Sequence, residues 1–172
     1  MKKWLSSVLI VTVMTGMTGC VPTNDISVEN VSNDKVNMAG YKTYQFLEDS
    51  GIVEDDGSGK LKESDKEVAA LIEEIINTEL QKKGKKPVAK NPDFFVAYVG
   101  GSNLEAVSVK LDKEGREVIE KKPEAALLIM LVDADTGKIL RLSTAEGEMK
   151  DLPADQKRKR IEYAIKKMLK DV

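Results

Sequence analysis

Histidine is absent and cysteine occurs once among the 172 residues. That removes His-dependent nucleophilic triads, the usual Cys/His zinc cages and any internal disulfide. What remains for chemistry is carboxylates, hydroxyls and lysines. Asp133-x-Asp135-x-Gly137 has the opening of a calcium loop, but the twelfth position, where a helix-loop-helix site needs a bidentate acid, is Thr144. Asp, Thr and Gly in this order are instead what a hairpin turn requires. Asn91-Pro92-Asp93 reads as a turn whose acid ties down backbone donors ahead of a strand, rather than as half of an acid–base pair. Asp55-Asp56 reads as solvated, and Gly100-Gly101 forms no phosphate-cradling pattern. No enzyme, metal or cofactor is therefore expected; a hydrolase using Ser and Lys, or paired acids, is the alternative.

The lone thiol is the informative one. Lys2 and Lys3 precede an apolar run from Trp4 to Met14, and small and polar residues follow to Gly19. This is the layout of a secretory signal. It has nineteen residues, with charge and hydroxyls among them, where a permanent spanning helix needs about 20 mostly apolar ones. Met17-Thr18-Gly19-Cys20 resembles a bacterial lipobox, with Met17 where leucine is usual. The small residues Thr18 and Gly19 suit the signal peptidase, and the Cys20 thiol would form a thioether with a diacylglyceryl group. Two or more acyl chains make membrane anchoring stable where one is marginal. The expected partner is thus the lipid bilayer, reached through a covalent lipid on Cys20. Val21, in place of the aspartate that retains many lipoproteins at the inner membrane, favours the outer membrane, with the domain facing the periplasm.

Cleavage before Cys20 removes two lysines and no acid, taking the net charge from −2 to −4. Nucleic acid is not an expected partner. Two basic clusters stand out against that acidity: Lys82–Lys90, with five lysines and no acid, and Lys157-Arg158-Lys159-Arg160. Both suit anionic envelope polymers or headgroups. They equally suit helix ends and solvated faces, and a four-residue run sweeps right around a helix.

The elements that carry these residues follow from periodicity. Residues 20–37, with four asparagines, read as the lipidated cysteine and a flexible tether that ends in an edge strand. Tyr41 to Phe46 is strand-like, and the acidic stretch Glu48 to Asp65 is a long mobile loop. Ser64-Asp65-Lys66-Glu67 is a capping box with Ser64 as N-cap. The helix it opens carries Val68, Leu71, Ile72, Ile75, Ile76 and Leu80 on one face and stops at Gly84. Phe94 to Val99 reads as a central strand ended by Gly100-Gly101. Val107 to Leu111 pairs with Arg116 to Lys121, and Ala125 to Val132 forms a hairpin with Lys138 to Leu142, which Thr144 to Met149 extends. Asp151 and Pro153 open a last helix with Ile161, Ala164, Ile165, Met168 and Leu169 inward. The fold class is α+β: a mainly antiparallel sheet with two amphipathic helices on one face, forming a single domain over 38–172 behind a signal peptide at 1–19.

Several short stretches together resemble a family of bacterial envelope lipoproteins that carry a domain of unknown function, DUF4136. They are Tyr41-Lys42-Thr43-Tyr44, Glu79-Leu80 with Lys83-Gly84, Asn91-Pro92-Asp93-Phe94, Leu131-Val132-Asp133 with Thr136-Gly137-Lys138, and the closing Ile161–Leu169 helix. The resemblance implies an α+β lipoprotein fold and no established activity. Two stretches depart from it: family members tend to carry Trp and Gly where this chain has Arg141 and Ser143, and many end in Phe-Pro where this one has Lys170-Asp171-Val172. The expected function is a non-enzymatic binding or scaffolding domain for another envelope protein, lipid or polymer. A lipid or amphiphile carrier with a cleft between helices and sheet is the alternative.

Overall fold

The computed structural model describes residues 21–32, 36–48, 50–52, 63–105, 108–111, 117–120, 123–148 and 150–172. Met17, Thr18, Gly19 and Cys20, and with them the whole signal segment, lie outside the described residues, as do Asp55-Asp56 and residues 112–116. The strands are β1 (Ser27–Ser32), β2 (Thr43–Phe46), β3 (Gly51–Ile52), β4 (Lys86–Pro87), β5 (Phe94–Glu105), β6 (Ser108–Leu111), β7 (Glu117–Glu120), β8 (Pro123–Asp133) and β9 (Ile139–Glu148). The helices are α1 (Glu63–Lys82) and α2 (Ala154–Met168), with a single 3-10 turn at Met38–Gly40.

Seven strands form one sheet in the order β1-β9-β8-β5-β2-β4, with β3 also on β5, while β6 and β7 make a separate antiparallel pair. The expected mainly antiparallel sheet is in fact mixed. β5–β8, β8–β9 and β1–β9 are antiparallel, but β2–β5, β3–β5 and β2–β4 are parallel. The reason is the connection between β2 and β5. It carries a 20-residue helix, which returns the chain to its starting end, so that β5 runs alongside β2 rather than back along it.

Alternation then decides what faces inward. Phe94, Val96 and Tyr98 of β5, Ile129 and Leu131 of β8, and Tyr44 of β2 are at most 1% exposed. Against them pack Ile72, Ile75, Ile76 and Leu80 of α1, and Ala164, Ile165, Met168 and Leu169 at α2. Each such aliphatic side chain contributes about 1.5–3 kcal/mol of burial. Of the expected stripes, Val68 falls outside the core and is exposed. The aromatic rings of Tyr44, Phe46, Phe94 and Tyr98 meet mostly edge-on or tilted, at 5.7–6.3 Å between centroids. Two buried phenols keep hydrogen bonds: Tyr44 donates to Asn77 Oδ1 at 2.7 Å and Tyr98 to Glu73 Oε1 at 3.0 Å. Burial, with the Glu73 carboxylate beside it, pushes the Tyr98 phenol well above its usual range.

Three boundaries differ from expectation. α1 already includes Ser64, so that residue is not its N-cap. β5 does not stop at Gly100-Gly101 but runs on to Glu105. Gly100 lies inside the strand, where an added Cβ would meet Ile52 Cδ1 at 2.9 Å, so the position suits glycine. The expected loop after Glu48 contributes Gly51–Ile52 as a strand on β5. The edge strand expected toward the end of the 20–37 stretch is present as Ser27–Ser32, which pairs with β9 along six residues.

Candidate functional site

The family-like stretches, scattered in sequence, meet at one end of the sheet. Asp93, just before β5, accepts the Lys42 and Thr43 amides on Oδ2 at 2.6 and 2.7 Å. Its own amide donates to the Thr43 carbonyl and Oγ1, both at 3.0 Å. Those donors hold its carboxyl below the usual range. Asn91 supports the turn with φ +50°. Asp133, at the end of β8, accepts Asp135 N, Thr136 N and Thr136 Oγ1 on Oδ1, at 2.7–3.1 Å. Its Oδ2 accepts the Tyr41 hydroxyl at 2.5 Å. These bonds bring its carboxyl down to about 2 and raise the Tyr41 phenol. Gly137 completes the turn at φ +67°. Both acids thus do what the residue pattern predicts: they close turns, and neither pairs with the other as an acid and a base would.

Lys85 is a residue that sequence reasoning misplaces. Its place in the Lys82–Lys90 run predicts a solvated charge, yet it is only 4% exposed. Its ammonium donates to the Met38 carbonyl at 2.6 Å and the Tyr41 carbonyl at 2.8 Å, pinning the 3-10 turn under the end of α1. Burial, with Lys42 and Lys83 nearby, pulls its pKa down. Gly84 reverses the chain at φ +78°, which turns Lys85 inward. The rest of the cluster disperses: Lys82 pairs with Glu79 at 2.6 Å, and Lys83 donates to the Lys170 carbonyl at 2.8 Å.

The second basic run divides the same way. Arg160 is buried and grips the N-terminal segment. Nη1 donates to the Pro22 carbonyl and, at 2.9 Å, to Asp25 Oδ1, while Nη2 donates to Asp25 Oδ2 at 2.5 Å. The guanidinium holds the Asp25 carboxyl far below its usual range. Arg158 bridges the helices, donating to Glu74 at 2.7 Å and to Glu162 at 2.9 Å. Lys157 lies 3.9 Å from Asp151, and Lys159 has no ion-pair or hydrogen-bond partner among the described residues. Between the helices lies an open groove of about 430 Å³, floored by Ile75 and lined by Thr78, Glu79 and Lys82 of α1 and by Arg158, Lys159, Glu162, Tyr163 and Lys166 of α2. It lies on the solvent side of the helix pair, whereas the apolar stripes between helices and sheet are filled by core side chains. Among the described residues no group of three or more His, Cys, Asp or Glu is placed to hold a metal ion, and no helix is long and apolar enough to cross a membrane.

On β9, between β1 and β8, the departures Arg141 and Ser143 form a buried pair under the end of α2. Arg141 Nε donates to Ser143 Oγ at 3.2 Å and to the Met168 carbonyl at 3.1 Å, and Ser143 Oγ donates to the same carbonyl at 3.0 Å. Arg141 Nη1 reaches Ser32 Oγ at 2.9 Å, while Nη2 is buried without a partner among the described residues.

An α+β domain with a mixed seven-stranded sheet and two helices is the class this architecture defines. The chain belongs to the family described as a domain of unknown function, DUF4136, which matches residues 28–171. No curated protein matches the sequence. Among solved structures it is similar to a DUF4136 family protein from Bacteroides thetaiotaomicron, with 12% identity and a TM-score of 0.53, over 85% of this chain and 95% of that one. A PDZ domain protein from Parabacteroides distasonis is similar at 16% identity and a TM-score of 0.50, over 83% of this chain, which spans only 36% of that longer one. The PelC dodecamer from Paraburkholderia phytofirmans shares 14% identity over 85% of this chain and 96% of that one, with a TM-score of 0.49. At these identities the likeness to the first two is one of fold.

Proposed function

We propose that this protein is a lipid-anchored lipoprotein of the bacterial cell envelope, whose domain binds or scaffolds another envelope component without catalysing a reaction. The observation that carries the reading is the position of the only cysteine, Cys20, at the end of a signal-like segment. Support for a non-enzymatic domain comes from Asp93 and Asp133, the acids of the family-like stretches. Their oxygens are engaged by backbone and hydroxyl donors that shape turns. The helix stripes that a carrier would need for a cleft are used as core, which favours a surface binder. The outer membrane, with the domain in the periplasm, is the proposed address.

Cys20→Ala is the test of the anchor. It should abolish metabolic labelling with palmitate and release the protein from membranes; continued labelling of the variant would sink the reading. Crosslinking in intact envelopes tests the second half. A near-stoichiometric protein partner supports a scaffold, and turnover of an envelope substrate by the purified protein would overturn the non-enzymatic reading.

A further inference from the structure

A strand with one face on a core and the other in water alternates apolar with polar residues. β5 and β8 do not. Phe94, Val96 and Tyr98 face the core with the helices, yet Phe95, Ala97 and Val99 between them are apolar as well. Register lays the outward residues out in rows. The middle row runs Ala97, Met130, Leu142 and Val31 across β5, β8, β9 and β1. Phe95 with Val132 flanks it on one side, and Val99 with Leu128 on the other. None of these belongs to the core or packs against it, and Val31 is 65% exposed. Contiguous apolar patches of more than roughly a few hundred Å² mark places where another surface docks.

Size and charge select the occupant. Five strands about 4.8 Å apart, from β2 to β1, and seven residues of about 3.4 Å each, from Phe95 to Gly101, make a face roughly 24 Å square. A single helix, about 10 Å wide, would leave more than half of it wet. Two such faces together remove on the order of 1,000 Å² from water, the area that a specific interface needs. Sheets of the same twist also stack well, about 10 Å apart with strands within about 30° of each other. Anionic headgroups do not suit the face, because Glu29 and Glu146 stand at one end of it with no ion-pair partner among the described residues. The same two acids set the alignment of a second sheet. Like ends together would crowd these carboxylates against their own copies. Turned end over end, they meet Gln45, Ile139 and the Asp135–Lys138 turn, whose two exposed charges are of opposite sign. Glu148, further along β9, already has Lys150 at 3.3 Å.

We propose that two copies of this chain dock through their open sheet faces, related by a two-fold axis that crosses the strands over the Met130 row. β9 of one copy then lies over β9 of the other, running the opposite way. Such an interface uses the same patch on both copies and closes on itself. It depends on the sheet alone, and holds whether or not Cys20 carries lipid.

Crosslinking of the full chain in intact envelopes of its own cell tests this. Sheets about 10 Å apart are beyond the reach of a disulfide, whose Cα atoms stand about 4.4–6.8 Å apart, so a short bismaleimide is the reagent. Met130→Cys should give an adduct of twice the protein's mass. Lys159→Cys, on the helix side, should not, nor should the wild-type chain with Cys20 alone. Val31→Glu with Val99→Glu, at positions exposed in a single copy, should cut the Met130→Cys adduct at least tenfold with circular dichroism unchanged. Val31→Thr with Val99→Thr, which keeps the strand preference and adds no charge, should cut it several-fold. An adduct that survives the glutamate pair, or an equal yield from Lys159→Cys, overturns the proposal. So does the absence of any adduct at Met130→Cys. An adduct with a protein of another mass also overturns it, and gives the face to that protein.

Discussion

Asp25 and Arg160 stand 135 residues apart in sequence and share two hydrogen bonds, at 2.9 and 2.5 Å, with both side chains largely shielded from solvent. The pair makes the N-terminal segment part of the domain and fixes where the chain leaves it. Lys150, 3.1 Å from Asp25, adds a second cation to the same carboxylate.

Asp25→Ala would leave Arg160 with the Pro22 and Glu148 carbonyls but no counter-charge. A loss of about 2 kcal/mol is expected, below the ~3–5 kcal/mol of a fully buried pair because some solvent reaches this one. Urea unfolding of Asp25→Ala and Asp25→Asn measures it. Both variants should fall by similar amounts, since the charge and not the packing is lost; an unchanged midpoint would show that the clamp adds nothing.

Acid should weaken the fold through the same kind of group. Asp133 is held at about 2 and Asp25 lower still, against an ordinary carboxyl near 3.8. Their stabilising effect is complete above the ordinary value. It is lost as pH falls toward the folded values, because the unfolded chain takes up protons that the folded chain refuses. Urea midpoints should therefore drop between pH 4 and pH 2 by more than in Asp133→Asn. A flat profile over that window would contradict the hydrogen-bonding assigned to both acids.

Tyr41→Phe removes the single hydroxyl that joins β2's approach to the β8–β9 turn. About 1 kcal/mol should be lost, and amide exchange at Thr136 should quicken. Asp93→Ala should loosen the Lys42 and Thr43 amides in turn, which hydrogen exchange reads directly.

Arg141 is the unusual case, a buried guanidinium with no carboxylate in contact among the described residues, whose pKa is lowered by burial. Arg141→Met keeps the volume and leaves Ser143 to serve the Met168 carbonyl. Thermal stability should be equal or higher, by up to about 1 kcal/mol. Ser143→Ala should cost about 1 kcal/mol. A large loss in Arg141→Met would mean that its bonds to Ser32 and Met168 outweigh its desolvation.

Local patterns decided much of this protein. The stripes of α1 and α2, the positive-φ glycines 84 and 137, and the turn-closing roles of Asp93 and Asp133 all follow from spacing within a few residues. So does the position of Cys20 behind its signal-like segment. What only the tertiary structure decided is pairing over long distance. The parallel placement of β2 on β5 depends on where α1 returns the chain. Among nine residues that read as one basic cluster, only packing singles out Lys85 for burial, because Gly84 turns it beneath Met38 and Tyr41. Arg160 looks like its neighbours Lys159 and Arg158 until the fold sets Asp25 in front of it. A charge's identity is written in the sequence, but its desolvation and its partner are properties of contacts between residues that the chain keeps far apart.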